Sequence, residues 1–212
     1  GVGVGAGGCA PPPGVVDATM TFDPSRQRVV VFGGRTVGDT SLTNQLWSWT
    51  GSAWEQVNLA AAPPARDGAN LVVDPRGRLM LAFGAYDYVT QFDDTWLDLG
   101  SYWSDQVDIG EPPPEGHVAL AYDELRGEVA LFGGENGNYF GSIAIWDGQR
   151  WNYPTPPVQP SARADATLAY VPSRGELVLF GGYFGASRFD DTWTWDGATW
   201  ITRRRAGAVG AL

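Results

Sequence analysis

The chain carries one histidine, His117, and one cysteine, Cys9. That inventory cannot build a structural zinc site, which takes four Cys or His ligands, and a lone cysteine cannot close an internal disulfide. His117 could act as a base beside Glu115, but no serine or cysteine is marked out near it as a nucleophile. It shares a column with Asp17, Gly68 and Asp165, which points to a structural or loop role. The carboxylate pairs Asp93-Asp94 and Asp190-Asp191 could offer oxygens to calcium. Gln45 and Ser142 stand at the matching places, so the pairs read as turn anchors. No cofactor is called for. The residues best suited to recognition are Arg35, Tyr86, Asp87, Tyr88, Asn138, Tyr139, Phe140, Tyr183, Phe184 and Arg188. Aromatics and arginine are the types enriched at interface hot spots.

What positions these residues is a repeat. Phe-Gly-Gly occurs at Phe32-Gly33-Gly34, Phe132-Gly133-Gly134 and Phe180-Gly181-Gly182, and Phe83-Gly84-Ala85 reads as a near-copy. The phenylalanines lie 51, 49 and 48 residues apart. A second marker, Trp54, Trp103, Trp151 and Trp200, keeps step at 49, 48 and 49. Two columns holding one period along the chain identify a four-unit repeat.

Each unit predicts four strands. The first strands are expected over 18–22, 70–73, 118–122 and 167–171. Turns such as Asp23-Pro24-Ser25 and Asp74-Pro75-Arg76-Gly77 follow them. The second strands, over 29–32, 79–83, 129–132 and 177–180, are nearly unbroken apolar runs, as expected of strands covered on both faces. The third alternates, as in Thr192-Trp193-Thr194-Trp195, and the fourth opens on the tryptophan marker. All ten tryptophans fall in repeat columns, which assigns them to packing between units.

An apolar strand, Phe-Gly-Gly, a variable loop, Asp-Asp-Thr-Trp-x-Trp-Asp-Gly and a further Trp together resemble the kelch repeat. The last unit shows the pattern best, from Leu177 through Gly181-Gly182 to Asp190-Asp191-Thr192-Trp193 and Trp200. The resemblance covers roughly residues 12–203 and implies an all-β fold, a kelch-type β-propeller of four four-stranded blades. It divides the chain into a flexible leader (1–11), repeats at approximately 12–61, 62–111, 112–159 and 160–203, and a tail (204–212). Ala85 departs from the pattern and suggests a less sharp turn there.

Kelch proteins use the loops at one end of the ring to hold protein partners. Here the loops after Phe-Gly-Gly, at 35–44, 86–92, 135–141 and 183–189, differ completely between units, whereas the opposite turns are short and alike. The expected function is a non-catalytic binding scaffold presenting those loops to a protein or glycan partner. In the bland alternative the loop aromatics cap the channel and pack on one another. Two other readings are a carbohydrate-active hydrolase or lyase using acidic and tyrosine residues of that face, and a self-assembling structural unit. Copper enzymes occur on this fold, but their sites need several His, Tyr or Cys ligands.

The formal charge of −10, with arginine as the only basic type, leaves no basic face for nucleic acid apart from Arg203-Arg204-Arg205 near the end. No apolar run reaches the length of about 18 residues that a membrane-spanning helix needs. Small residues running into Cys9 loosely resemble a bacterial lipoprotein signal, with Ala6 where a branched residue is usual. The compartment stays open, with a lean to an extracytoplasmic address. Kelch rings commonly have six or seven blades, so four units raise a closure problem. A small closed ring is the first expectation; pairing as a homodimer or membership of a longer protein are the others.

Overall fold

In the computed structural model, residues 11–58, 60–84, 92–106, 110 and 116–203 are described. Among them every regular element is a strand. Two short ribbons pair β1 (Val15–Val16) with β4 (Arg35–Thr36), and β17 (Tyr183–Phe184) with β18 (Ser187–Arg188). The remaining strands form four antiparallel four-stranded sheets, each an up-and-down meander.

The first sheet is β2 (Thr19–Asp23), β3 (Arg28–Phe32), β5 (Leu46–Trp49) and β6 (Trp54–Val57). The second is β7 (Asn70–Val73), β8 (Leu79–Ala82), β9 (Thr95–Asp98) and β10 (Trp103–Asp105). The third is β11 (Ala119–Asp123), β12 (Glu128–Phe132), β13 (Ile143–Trp146) and β14 (Trp151–Asn152). The fourth is β15 (Thr167–Val171), β16 (Glu176–Phe180), β19 (Thr192–Trp195) and β20 (Trp200–Arg203). The fourth strand of each sheet opens on the marker tryptophan.

Local chemistry sets the first hairpin. In three sheets an aspartate at its corner accepts two backbone N–H groups and an arginine. Asp23 Oδ1 takes Ser25 N at 2.8 Å and Arg26 N at 3.2 Å, and Asp23 Oδ2 takes the Arg26 guanidinium at 2.5 Å. Asp74 and Asp123 repeat the arrangement with Arg78 and Arg126. A carboxylate that satisfies two orphan amides fixes the turn without a longer loop.

The sheets stack face to face in chain order, with first strands β2, β7, β11 and β15 side by side. Three apolar clusters fill the joints. Phe32 meets Trp103 at 6.1 Å between ring centroids, Phe83 meets Trp151 at 6.1 Å, and Phe132 meets Trp200 at 5.3 Å. Each joint therefore sets an aromatic of one sheet on the marker tryptophan of the next. Rings of this size bury the most apolar area per residue, and tilted or edge contacts suit their quadrupoles.

The second strands show which sheets have two neighbours. All four residues of β8 are buried, as are Val129, Ala130, Leu131 and Phe132 of β12. In β3 and β16 burial alternates, with Val30 and Phe32 covered in one, and Leu177 and Leu179 covered but Phe180 exposed in the other. The four apolar runs look alike in sequence, but among the described residues no further sheet covers the outer faces of the first and fourth. Met20 is 65% exposed and Phe22 50% on the first sheet, and Phe180 is 53% exposed on the fourth. The small closed ring expected from the sequence is not what these faces show.

The near-copy Phe83-Gly84-Ala85 is one residue out of step with the other three units. Asn70 pairs with Ala82 as Thr19 pairs with Phe32, so Ala82 holds the phenylalanine place. Phe83 holds that of the first glycine: Phe83 N donates to Asp94 O at 3.2 Å as Gly33 N donates to Gln45 O at 3.1 Å. Phe83 has φ 61°, beside 69° at Gly33, 74° at Gly133 and 72° at Gly181. Counted at Ala82 instead of Phe83, the steps become 50, 50 and 48. Ala85 itself lies outside the described residues.

Candidate functional site

A cavity of about 660 Å³ opens where the chain enters the four first strands. Asp17, Asp67, His117 and Asp165 line it from the segments leading into the four sheets, together with Arg35 and Glu135 from the residues that follow Phe-Gly-Gly. Asp17, Gly68, His117 and Asp165, the column noted in the sequence, are all left-handed, with φ 56°, 60°, 60° and 51°. That conformation is uncommon outside glycine. Gly68 N donates to Asp17 O, and Asp165 N to His117 O, each at 2.9 Å. The column thus joins neighbouring sheets through its backbone and leaves the side chains of Asp17, His117 and Asp165 lining the cavity.

The wall is organised in pairs that cross between units. Arg35 Nε donates to Asp67 Oδ2 at 2.9 Å. His117 Nδ1 lies 2.8 Å from Asp165 Oδ1, with both side chains about half exposed. Tyr183 donates its hydroxyl to Glu135 Oε1 at 3.2 Å. Burial first, and the Glu135 carboxylate second, push the Tyr183 phenol up to about 12. Among the described residues, four carboxylates against one arginine and one imidazole make the cavity rich in acceptors.

Tyr183 continues into an aromatic cluster at the rim. Its ring centroid is 5.7 Å from that of Tyr139, edge to face, and Tyr139 lies 4.7 Å from Phe184. The Arg188 guanidinium sits over the Tyr183 ring at 4.8 Å from its centroid. The β17–β18 ribbon carries Tyr183, Phe184 and Arg188, and the third sheet's loop supplies Tyr139. These rings pack on one another, yet Phe184 stays half exposed.

The remaining sequence candidates separate from this cluster. Arg35 is drawn to the cavity wall by Asp67. Asn138 is exposed at a loop tip, where its carbonyl accepts Asn136 N at 3.1 Å. Phe140 is half-buried, and its backbone braces the loop: its N–H reaches Gly134 O at 3.0 Å and its carbonyl takes Arg163 N at 2.9 Å. Tyr86, Asp87 and Tyr88 lie outside the described residues, as does Glu115. Asp17, Asp67, Glu135 and Asp165 were not among the candidates. For the three aspartates the signal was positional, since every unit has to pass this point to enter its first strand, and Glu135 directly follows Phe132-Gly133-Gly134.

The recurring carboxylate pairs have another occupation. Arg163, buried to 1% exposure, donates to Asp191 Oδ1 at 2.5 Å and Oδ2 at 3.0 Å and to the Gly181 carbonyl at 2.9 Å, and lies 3.9 Å from the Phe189 ring centroid. Arg66 repeats this with Asp94, the Phe83 carbonyl and Phe92. The backbone carbonyls of Arg66 and Arg163 accept Gly34 N at 2.8 Å and Gly134 N at 2.9 Å from the preceding unit. These arginines therefore fasten the first unit to the second and the third to the fourth. Among the described residues no group of three or more His, Cys, Asp or Glu gathers as metal ligands would.

No protein-family model matches the chain, and no curated protein matches it. Among the described residues no helix is long and apolar enough to cross a membrane.

Proposed function

We propose that the chain is a run of four kelch-type propeller blades serving as a non-catalytic binding module. Its loop-bearing end holds a protein or glycan partner. The blade reading is supported by four meander sheets stacked in chain order, each joint made by an aromatic seated on the next sheet's marker tryptophan.

The observation that carries the binding reading is the Tyr139–Tyr183–Phe184–Arg188 cluster beside the cavity. None of these residues belongs to the three apolar clusters that join the sheets, and half of Phe184 is left to solvent. An aromatic cluster with inclined rings next to a wall of carboxylates suits a ligand with an apolar face and many hydrogen-bond donors. A glycan has both, so we favour it among the partners. The wall's preformed pairs, Arg35–Asp67 and Tyr183–Glu135, hold the acceptors in place before any ligand arrives.

A glycan panel probed with the native chain and with a Tyr139→Ala/Phe184→Ala variant tests this. The expected result is capture of at least one glycan class, weakened about tenfold or more in the variant, while the melting temperature moves by less than about 4 °C. Capture that is unchanged in the variant contradicts the placement of the site, and no capture of any glycan contradicts the favoured partner. The His117–Asp165 pair favours a second reading, a hydrolase working on the bound glycan. Release of shortened products that His117→Ala abolishes would decide for it.

A further inference from the structure

Two of the three joints inside the chain carry more than the aromatic contact. At the first joint Thr19 Oγ1 accepts Leu71 N of the next sheet at 3.1 Å. Arginines of the first hairpin turn reach across as well. Arg26 Nη1 lies 2.6 Å from Asp98 Oδ2 at the first joint, and at the third Arg126 bonds the carbonyls of Gly175 and Asp196. Each joint has a donating face with the aromatic and a receiving face with the marker tryptophan, and at the first and third joints the donating face also sends its arginine to the receiving one.

One further set of these groups is divided between the two ends of the stack. Phe180 pairs with Thr167 as Phe32 pairs with Thr19, so the fourth sheet repeats the donating face of the first. Phe180, Thr167 and the turn arginine Arg174 are all exposed there. The first sheet repeats the receiving face. Trp54 pairs with Trp49 as Trp103 pairs with Asp98, and Met20 stands where Leu71 does, its side chain uncovered. Each end holds what the other lacks, and in this structure they do not meet.

We propose that a second copy of the chain covers both ends, with the fourth sheet of each copy seated on the first sheet of the other. Both halves of the contact are present on one polypeptide, so an identical molecule brings the matching face without any new chemistry. Phe180 would then rest on the second copy's Trp54, as the aromatics do at the internal joints, and Thr167 Oγ1 would accept its Met20 N–H, as Thr19 accepts Leu71 N at the first joint. Such a head-to-tail contact is self-limiting when the rotation closes, and two copies make a ring of about eight sheets, within the range that radial stacks of four-stranded sheets adopt. The proposal rests on the propeller-type stacking and not on the ligand reading.

Sedimentation velocity on the native chain and two charge variants tests it. Phe180→Asp and Met20→Asp alter exposed side chains, so both are expected to keep the native far-ultraviolet spectrum. The native chain is expected to run at twice the 22.8 kDa mass of one chain. Each variant alone is expected to run as a single chain at about 10 μM, with association weakened about a hundredfold or more. Mixing the two variants leaves one intact contact per pair, and mixed dimers are expected to return. A native chain that stays single at about 100 μM overturns the proposal. Masses that grow without limit overturn the closed pair, and so does a mixture of the variants that shows no association.

Discussion

Phe83 rests its ring 6.1 Å from that of Trp151 from a backbone position that glycine holds in the other three units. Its ring makes the contact that Phe32 and Phe132 make from one residue earlier, against Trp103 and Trp200. Burial of the ring, which is fully covered, outweighs a left-handed cost of about 1–2 kcal/mol.

Replacing Phe83 by glycine should relieve that cost but empty the joint. Losing a buried phenylalanine side chain costs about 3–5 kcal/mol, so the net loss is expected near 1–4 kcal/mol. Adding Ala82→Phe to Phe83→Gly writes Phe-Gly-Gly into the second unit. Urea unfolding should place the double variant within about 1.5 kcal/mol of the native chain. A double variant no more stable than Phe83→Gly would refute the shifted register.

The pair of Arg163 and Asp191 should respond asymmetrically. Arg163 has a fully buried side chain, whereas the side chain of Asp191 is 34% exposed. Asp191→Ala strands a buried cation and is expected to cost about 3–5 kcal/mol. Arg163→Met leaves a carboxylate that water and the Trp193 indole can still serve, and should cost about 1–2 kcal/mol. Equal losses in denaturant would contradict the fastening role given to the arginine.

Acid should loosen the same framework. The Arg163 guanidinium, helped by the Trp193 indole, holds Asp191 below the ordinary carboxylate value against its burial. Burial alone would raise Asp23, but Arg26 and Ser25 carry it below that value too. Their contribution is full above the unfolded carboxylate value near 3.9 and disappears as pH falls through the lowered folded values. Unfolding midpoints between about pH 4 and pH 2 should therefore drop less in Asp23→Asn than in the native chain. An identical acid profile would show that the turn carboxylate contributes nothing.

Base should act through Tyr183. The unfolded phenol ionises near 10 and the folded one at about 12, so the folded state holds the extra proton between those values. Stability from this group is complete below about pH 10 and is lost as pH rises towards about 12. Glu135→Gln removes the neighbouring charge and should bring the late step of the phenolate absorbance titration to lower pH. Retention of that step in Tyr183→Phe would assign it to another tyrosine.

Much of the strand order could be read from the sequence because the period is carried by large, rigid residues. The marker tryptophans open the fourth strands at Trp54, Trp103, Trp151 and Trp200. What escaped was relational. Phe83 looked like Phe32 because ring chemistry is plain in sequence, while φ is not. The second strand β16 reads like β12, but its burial depends on a neighbouring sheet that sequence does not supply. At the candidate site Tyr139, Tyr183, Phe184 and Arg188 stood out as aromatics and an arginine outside the repeat columns, and they cluster. Asp17 and Asp165 did not stand out, since exposed aspartates before a strand are common and only the convergence of four units makes a cavity of them.

The central claim is that each sheet is joined to the next by an aromatic seated on the marker tryptophan. A double-mutant cycle on Phe132 and Trp200, each replaced by leucine, measures that contact alone. A coupling of about 0.5–1.5 kcal/mol is expected. Losses that add within about 0.3 kcal/mol would mean the rings do not support one another, and the stacking account would fail.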